Sequence, residues 1–160
     1  MSWRWAGRLA LGAGLAAASV GAPPASAQGV RELEVRVLGV ASDPAFGGAG
    51  AGYVWRDARR TRIVGGAAVG VLGGHGVAGR ADLAWHFLLD PRKRRGSAVY
   101  GGGGISLEAG AGRVRPFILL VLGAENAPGG TGGSFVEIGV GGGVRAAVGY
   151  RWRKHGAPGR

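Results

Sequence analysis

The sequence predicts an all-β chain: an eight-stranded antiparallel up-and-down barrel behind a helical export leader. Three observations carry this. Past residue 28 the apolar residues recur every second position, which is the strand period and not the 3.6-residue helical one. Glycine- and proline-centred breakers cut the chain at regular short intervals. No amphipathic helix is long enough for a parallel crossover, so neighbouring strands must pair antiparallel.

In chain order, the leader comes first. Arg4 and Arg8 give a positive start, and Leu9 to Val20 is an apolar stretch too short to span a bilayer as a helix. Pro23, Pro24 and Ala25-Ser26-Ala27 then supply a small-residue cleavage signature before Gln28. Residues 1–27 are therefore expected to be a signal peptide, 28–153 the barrel, and 154–160 a basic tail. The predicted strands are 30–40, 50–57, 61–72, 77–89, 97–108, 113–125, 133–140 and 144–153.

Alternation is clearest in three of them. Leu33, Val35 and Val37 alternate with Glu32, Glu34 and Arg36; Ala81, Leu83, Trp85, Phe87 and Leu89 alternate with Arg80, Asp82 and His86. From Ser134 to Arg153 the even positions are mostly apolar, while Glu137, Arg145, Arg151 and Arg153 are odd. A three-residue turn at 141–143 sets Val140 opposite Val144 and keeps this parity across the hairpin. Eight meandering strands leave two exposed edges unless they close, and closure gives the barrel.

Composition removes several chemistries. With no Cys there are no disulfides, thiolate metal sites or cysteine nucleophiles, and His75, His86 and His155 are too scattered for a zinc motif. No metal, cofactor or catalytic residue is expected. The net charge of +11 comes from 20 basic and 9 acidic residues. Eighteen of the basic residues are Arg, which, beside so much Gly and Ala, reads first as the codon bias of a GC-rich genome. An exported chain meets little nucleic acid, so no nucleic-acid partner is expected, and Arg92-Lys93-Arg94-Arg95 reads as a solvated turn.

Period two alone does not say which face looks inward. A soluble barrel of the calycin kind would bury the apolar face and bind a small apolar ligand in its mouth; an outer-membrane barrel would show that face to lipid. The apolar run Phe117 to Leu122 suits the first. Three features favour the second. The polar face is rich in Gly and Ala and carries charges of both signs, as a narrow, filled interior requires. Aromatics gather at strand ends: Tyr53 and Trp55, Trp85 and Phe87, Tyr150 and Trp152, as in interfacial girdles. The apolar face of the best strands holds no charge.

The leader Ala25-Ser26-Ala27, the strand entry Tyr100-Gly101-Gly102-Gly103-Gly104 and the closing stretch Glu137 to Trp152 resemble the small bacterial outer-membrane β-barrels, including the transmembrane domain of outer-membrane protein A and the opacity-type porins. The resemblance implies an outer-membrane location in a Gram-negative-type bacterium, with lipid and lipopolysaccharide as surroundings. It also implies that the barrel-assembly machinery reads Val148, Tyr150 and Trp152. The chain departs from the family in continuing past its terminal aromatic.

Nucleophilic catalysis is not expected. His86, Ser106 and Glu108 share the polar face, but a turn at 90–96 placing His86 opposite Tyr100 sets Arg80 opposite Ser106 and leaves His86 far from Glu108. The expected arrangement is an interior polar network of Arg80, Asp82, His86, Tyr100, Ser106, Glu108, Glu137, Arg145 and Arg151, with Glu108 near Arg80 and Arg115. Trp55, Trp85, Phe87, Tyr150 and Trp152 are the expected interfacial aromatics. Strand counting puts the N-terminus and the Arg92–Arg95 turn on the periplasmic side.

Overall fold

A computed structural model describes residues 30–56, 60–90 and 95–154. The predicted leader, the greater part of the Arg92–Arg95 turn and most of the basic tail lie outside the described residues. The chain forms eight strands: β1 (Val30–Ala41), β2 (Phe46–Arg56), β3 (Thr61–Leu72), β4 (Gly76–Leu88), β5 (Ser97–Gly110), β6 (Arg113–Asn126), β7 (Gly132–Val140) and β8 (Val144–Lys154). Each pairs antiparallel with the next, and β1 pairs with β8, closing a barrel in sequence order.

The second strand begins four residues earlier than its sequence predicts, because Gly47, Gly48 and Ala49 are part of the ladder and not a breaker. The glycine is required there. A Cβ at Gly48 would come within 2.6 Å of the Val69 carbonyl and 2.9 Å of the Gly70 Cα, so β2 and β3 approach too closely for a side chain. The β5–β6 hairpin turns through Ala111 and Gly112, both at positive φ (50° and 71°), as a two-residue turn of the primed type demands. Val140 pairs with Val144, as the parity argument requires.

The β4–β5 register differs from expectation by two residues. Leu88, not His86, pairs with Tyr100; His86 pairs with Gly102, Asp82 with Ser106 and Arg80 with Glu108. The backbone bond from Leu89 N–H to the Val99 carbonyl (3.0 Å) extends the hairpin past residue 96. A two-residue slip preserves parity, so no side chain changes face. It does place a glycine across from the imidazole, where a Cβ would meet the ring at 2.6 Å.

The stagger fixes the barrel's size. From Arg31 the register runs through Trp55, Ile63, Trp85, Gly103, Leu120, Val140 and Val144 and returns to β1 at Ala41, ten residues further on. With about 3.3 Å per residue and about 4.8 Å between strands, this tilts the strands by about 41° and gives a backbone radius of about 8 Å. An interior of that width leaves room for side chains rather than a wide channel.

The two faces divide the residue types sharply. Leu33, Val37, Val69, Leu83, Ile118 and Ile138, among many other large apolar residues, point outward and are exposed, Ile118 by 77%. The inward positions hold almost every charge on the strands. Phe117 to Leu122 obeys the same division, with Leu119 and Val121 buried and Ile118, Leu120 and Leu122 outside. One rim, at the turns after β1, β3 and β7, is stoppered by a small apolar cluster including Leu38, Val40, Phe46 and Leu72. Both chain ends leave at the opposite rim.

Candidate functional site

The interior is a lattice of buried ions of both signs. Six carboxylates (Glu32, Glu34, Asp82, Glu108, Glu125, Glu137) face six buried guanidiniums (Arg36, Arg62, Arg80, Arg145, Arg151, Arg153), with Arg56 half-buried at the mouth. Every one of these positions is inward by strand parity. Unpaired ions in such a site would be costly, and the geometry pairs them.

Below the apolar stopper, Asp82 accepts bonds from Arg36 (3.1 Å), Arg145 (3.1 Å) and the Ser106 hydroxyl (2.6 Å). Arg80 donates to Glu108 at 3.1 Å and to the Gly141 carbonyl. At mid-height Arg151 donates to Glu34 (2.7 Å), Glu125 (3.0 Å) and Glu137 (3.2 Å), while the Tyr100 hydroxyl donates to Glu137 at 2.8 Å. Nearer the chain ends Glu125 also takes Arg62 (2.7 Å), Arg153 (3.3 Å) and Arg56 (3.5 Å), and Glu32 takes Arg56 (3.0 Å) and Arg153 (3.3 Å). Glu34, 3.6 Å from Arg36, joins the upper and lower groups into one chain of ions along the lumen.

Arginine suits this lattice for a reason beyond genome composition. A planar fork reaches several carboxylates at once, as Arg151 does, and stacks on rings, which a point-charge lysine does less well. Arg151 lies 3.9 Å over Phe135, Arg62 lies 4.1 Å over Tyr100, and His86 stacks on Tyr100 with centroids 5.0 Å apart. Room for these side chains comes from glycine on the adjoining strand. Glu34 pairs with Gly52, His86 with Gly102, Tyr100 with Gly123 and Phe135 with Gly149. Strand glycines on the polar face are the spaces into which the lumen side chains fit.

All nine residues expected inside face the interior and are buried. Arg115 is the register partner of Glu108 but is exposed above the β7–β8 turn, and the ion pair of Glu108 is with Arg80. Sequence reasoning missed Glu125, which meets four guanidiniums, and left Glu32, Glu34, Arg36, Arg62 and Arg153 out of the network. Parity was the available signal. Glu125 was hidden because the β6 run is apolar on both faces.

His86, Ser106 and Glu108 do not converge. Ser106 bonds Asp82, His86 Nδ1 accepts from Arg62 at 3.4 Å, and Glu108 pairs with Arg80. Among the described residues no group of three metal-ligating side chains is placed to hold a metal ion.

The outward aromatics form one arc, on the side of the barrel running from β8 to β4. Trp55, Trp85, Phe87, Tyr150 and Trp152 are between 41% and 54% exposed and all lie in the last residues of β2, β4 and β8, at the rim of the chain ends. Neighbours on each strand touch: Tyr53 with Trp55, Trp85 with Phe87, and Tyr150 with Trp152, at centroid separations of 4.5, 5.9 and 5.0 Å.

Comparison with known protein families and with curated proteins finds no match. Among solved structures the chain is similar to the N-terminal β-barrel domain of Pseudomonas aeruginosa OprF. The TM-score is 0.59 at 10% identity, over 79% of this chain and 100% of that domain. At that identity the likeness is one of fold.

Proposed function

We propose that this protein is a non-enzymatic outer-membrane β-barrel, a wall or surface component with a side-chain-filled lumen. The observation that carries the reading is the inverted distribution of polarity. A closed barrel with ion pairs inside and large apolar side chains outside has its apolar face where lipid would be. A soluble barrel that binds an apolar ligand needs the opposite arrangement, and here the interior is charged. Likeness to an outer-membrane barrel domain supports the same location.

In this reading the rim with the chain ends faces the periplasm, the β1–β2 and β7–β8 turns face outward toward lipopolysaccharide, and residues 1–27 are the export signal. Val148, Tyr150 and Trp152, all outward on the closing strand, are the assembly signal. The stopper and ion lattice leave no open pore.

Expression in a Gram-negative host followed by membrane separation on a density gradient tests this. The protein is expected with the outer-membrane fraction and to resist carbonate extraction. Recovery in the soluble periplasmic fraction would overturn it.

A further inference from the structure

The surplus charge has an address. The lumen lattice holds seven guanidiniums, Arg56 included, against six carboxylates, and the other described cations lie outside it. Among the described residues Arg31, Arg60 and Arg95 are exposed at the rim of the chain ends beside the exposed Asp90, while Arg113 and Arg115 are exposed at the opposite rim, where Asp43 is exposed too. The aromatic side chains lie at the rim of the chain ends, in direct register with Arg31 and one residue from Arg60. Arg31 on β1 pairs with Trp55 on β2 and, on its other side, with Lys154 on β8. Leu33, two residues further along the outward face of β1, pairs with Trp152. The Arg60 carbonyl accepts the Leu88 amide at 2.8 Å, and Thr61 pairs with Phe87. The opposite rim is different: its outward residues are aliphatic (Val71, Val77, Val114, Val144), and its described basic residues are Arg113 and Arg115.

We propose that the Trp–Arg collar at this rim is a binding surface for anionic phospholipid, with the rings at glycerol depth and the guanidiniums on the phosphodiesters. This rests on the outer-membrane reading above and adds a lipid preference to it. The chemistry fits on both sides of the boundary. Tryptophan has an apolar body and a polar edge suited to the headgroup layer. Arginine presents a fork to phosphate oxygens and keeps its stem along apolar surface. Arg31 shares the outward face with Leu33 and Trp55, so its charge sits where the apolar band ends. That position favours lipid headgroups over the more distant carboxylates of the cell wall.

The test uses the protein reconstituted in phosphatidylcholine bilayers holding a trace of spin-labelled phosphatidylglycerol or phosphatidylcholine. The lipid fraction immobilised at the barrel is read by electron spin resonance. The expected result is a preference for phosphatidylglycerol of about two- to fivefold at low salt, shrinking as salt is raised. It should fall to near one in Arg31→Gln/Arg60→Gln/Arg95→Gln, persist in the matching Lys triple, and be unchanged in Arg113→Gln/Arg115→Gln at the other rim. Equal immobilisation of both lipids by the native protein would overturn the collar, as would a preference that survives the Gln triple. So would retention on purified peptidoglycan that the Gln triple abolishes while lipid preference is nil. Failure to enter either bilayer would instead sink the membrane reading itself.

Discussion

Replacing Glu125 by Gln is the sharpest perturbation of the lumen. The side chain is buried and lies within 3.5 Å of Arg56, Arg62, Arg151 and Arg153. Gln keeps the volume and one carbonyl acceptor but removes the negative charge, leaving a group of guanidiniums short of a counter-ion. Removing one member of a buried ion pair costs about 3–5 kcal/mol. Here the remaining carboxylates Glu32, Glu34 and Glu137 still hold three of the four arginines, which pulls the value toward the lower end, about 3 kcal/mol. Glu108→Gln should cost less, about 1–2 kcal/mol, because Arg80 retains the Gly141 carbonyl and lies 3.7 Å from Asp82. Urea unfolding of the barrel in lipid vesicles, followed by tryptophan fluorescence, measures both. With a slope of about 2 kcal/mol per molar urea, the midpoint should fall by about 1.5 M for Glu125→Gln and by under 1 M for Glu108→Gln. Adding Arg62→Met to Glu125→Gln should cost less than Arg62→Met alone, since the guanidinium has already lost that carboxylate. Equal and small effects of the two Gln variants, or strict additivity with Arg62→Met, would refute the view of Glu125 as the centre of a coupled lattice.

Other consequences are as direct. Gly123→Ala drives a methyl into the buried Tyr100 ring and should destabilise by about 1–3 kcal/mol; Gly101→Ala, whose methyl meets nothing nearer than 3.7 Å, should be tolerated. Thermal melts of the two variants against the parent decide this. Leu83→Arg, on the outward face, should cost about 2–4 kcal/mol in a bilayer, whereas a water-facing position would take it without loss; the same urea titration reads the difference. The proposed side-chain-filled lumen predicts no single-channel steps in planar-bilayer recording, and large regular steps would contradict it. Trp152→Ala should slow assembly into the outer membrane of a living host while leaving the fold in micelles intact, a difference visible by pulse labelling.

How much of this was legible in the sequence follows from the period of the strand. Parity depends only on counting, so each face could be read wherever alternation was strict, and the nine interior residues named from it are all inward. Register needs the length of each turn, which sequence leaves loose. The β4–β5 hairpin therefore slipped by two, enough to move Glu108 from a diagonal to a direct partner of Arg80. Gly47 and Gly48 carry no side chain to alternate, so the sequence marks β2 only from residue 50 while the strand begins at Phe46. Glu125 was hidden for a related reason: Leu119 and Val121 face inward beside it, so β6 shows no contrast between its faces. The ion lattice itself is a property of closure, since Arg151 on β8 reaches carboxylates on β1, β6 and β7 that no linear spacing connects.

An apolar face that is turned to lipid needs an amphiphile to fold against. Refolding the urea-denatured chain with and without detergent micelles, then recording far-ultraviolet circular dichroism and gel mobility before and after boiling, addresses it most directly. The proposed membrane barrel should acquire β structure only when micelles are present, with a mobility that changes on heating. Monomeric, ordered β structure in plain buffer would contradict it.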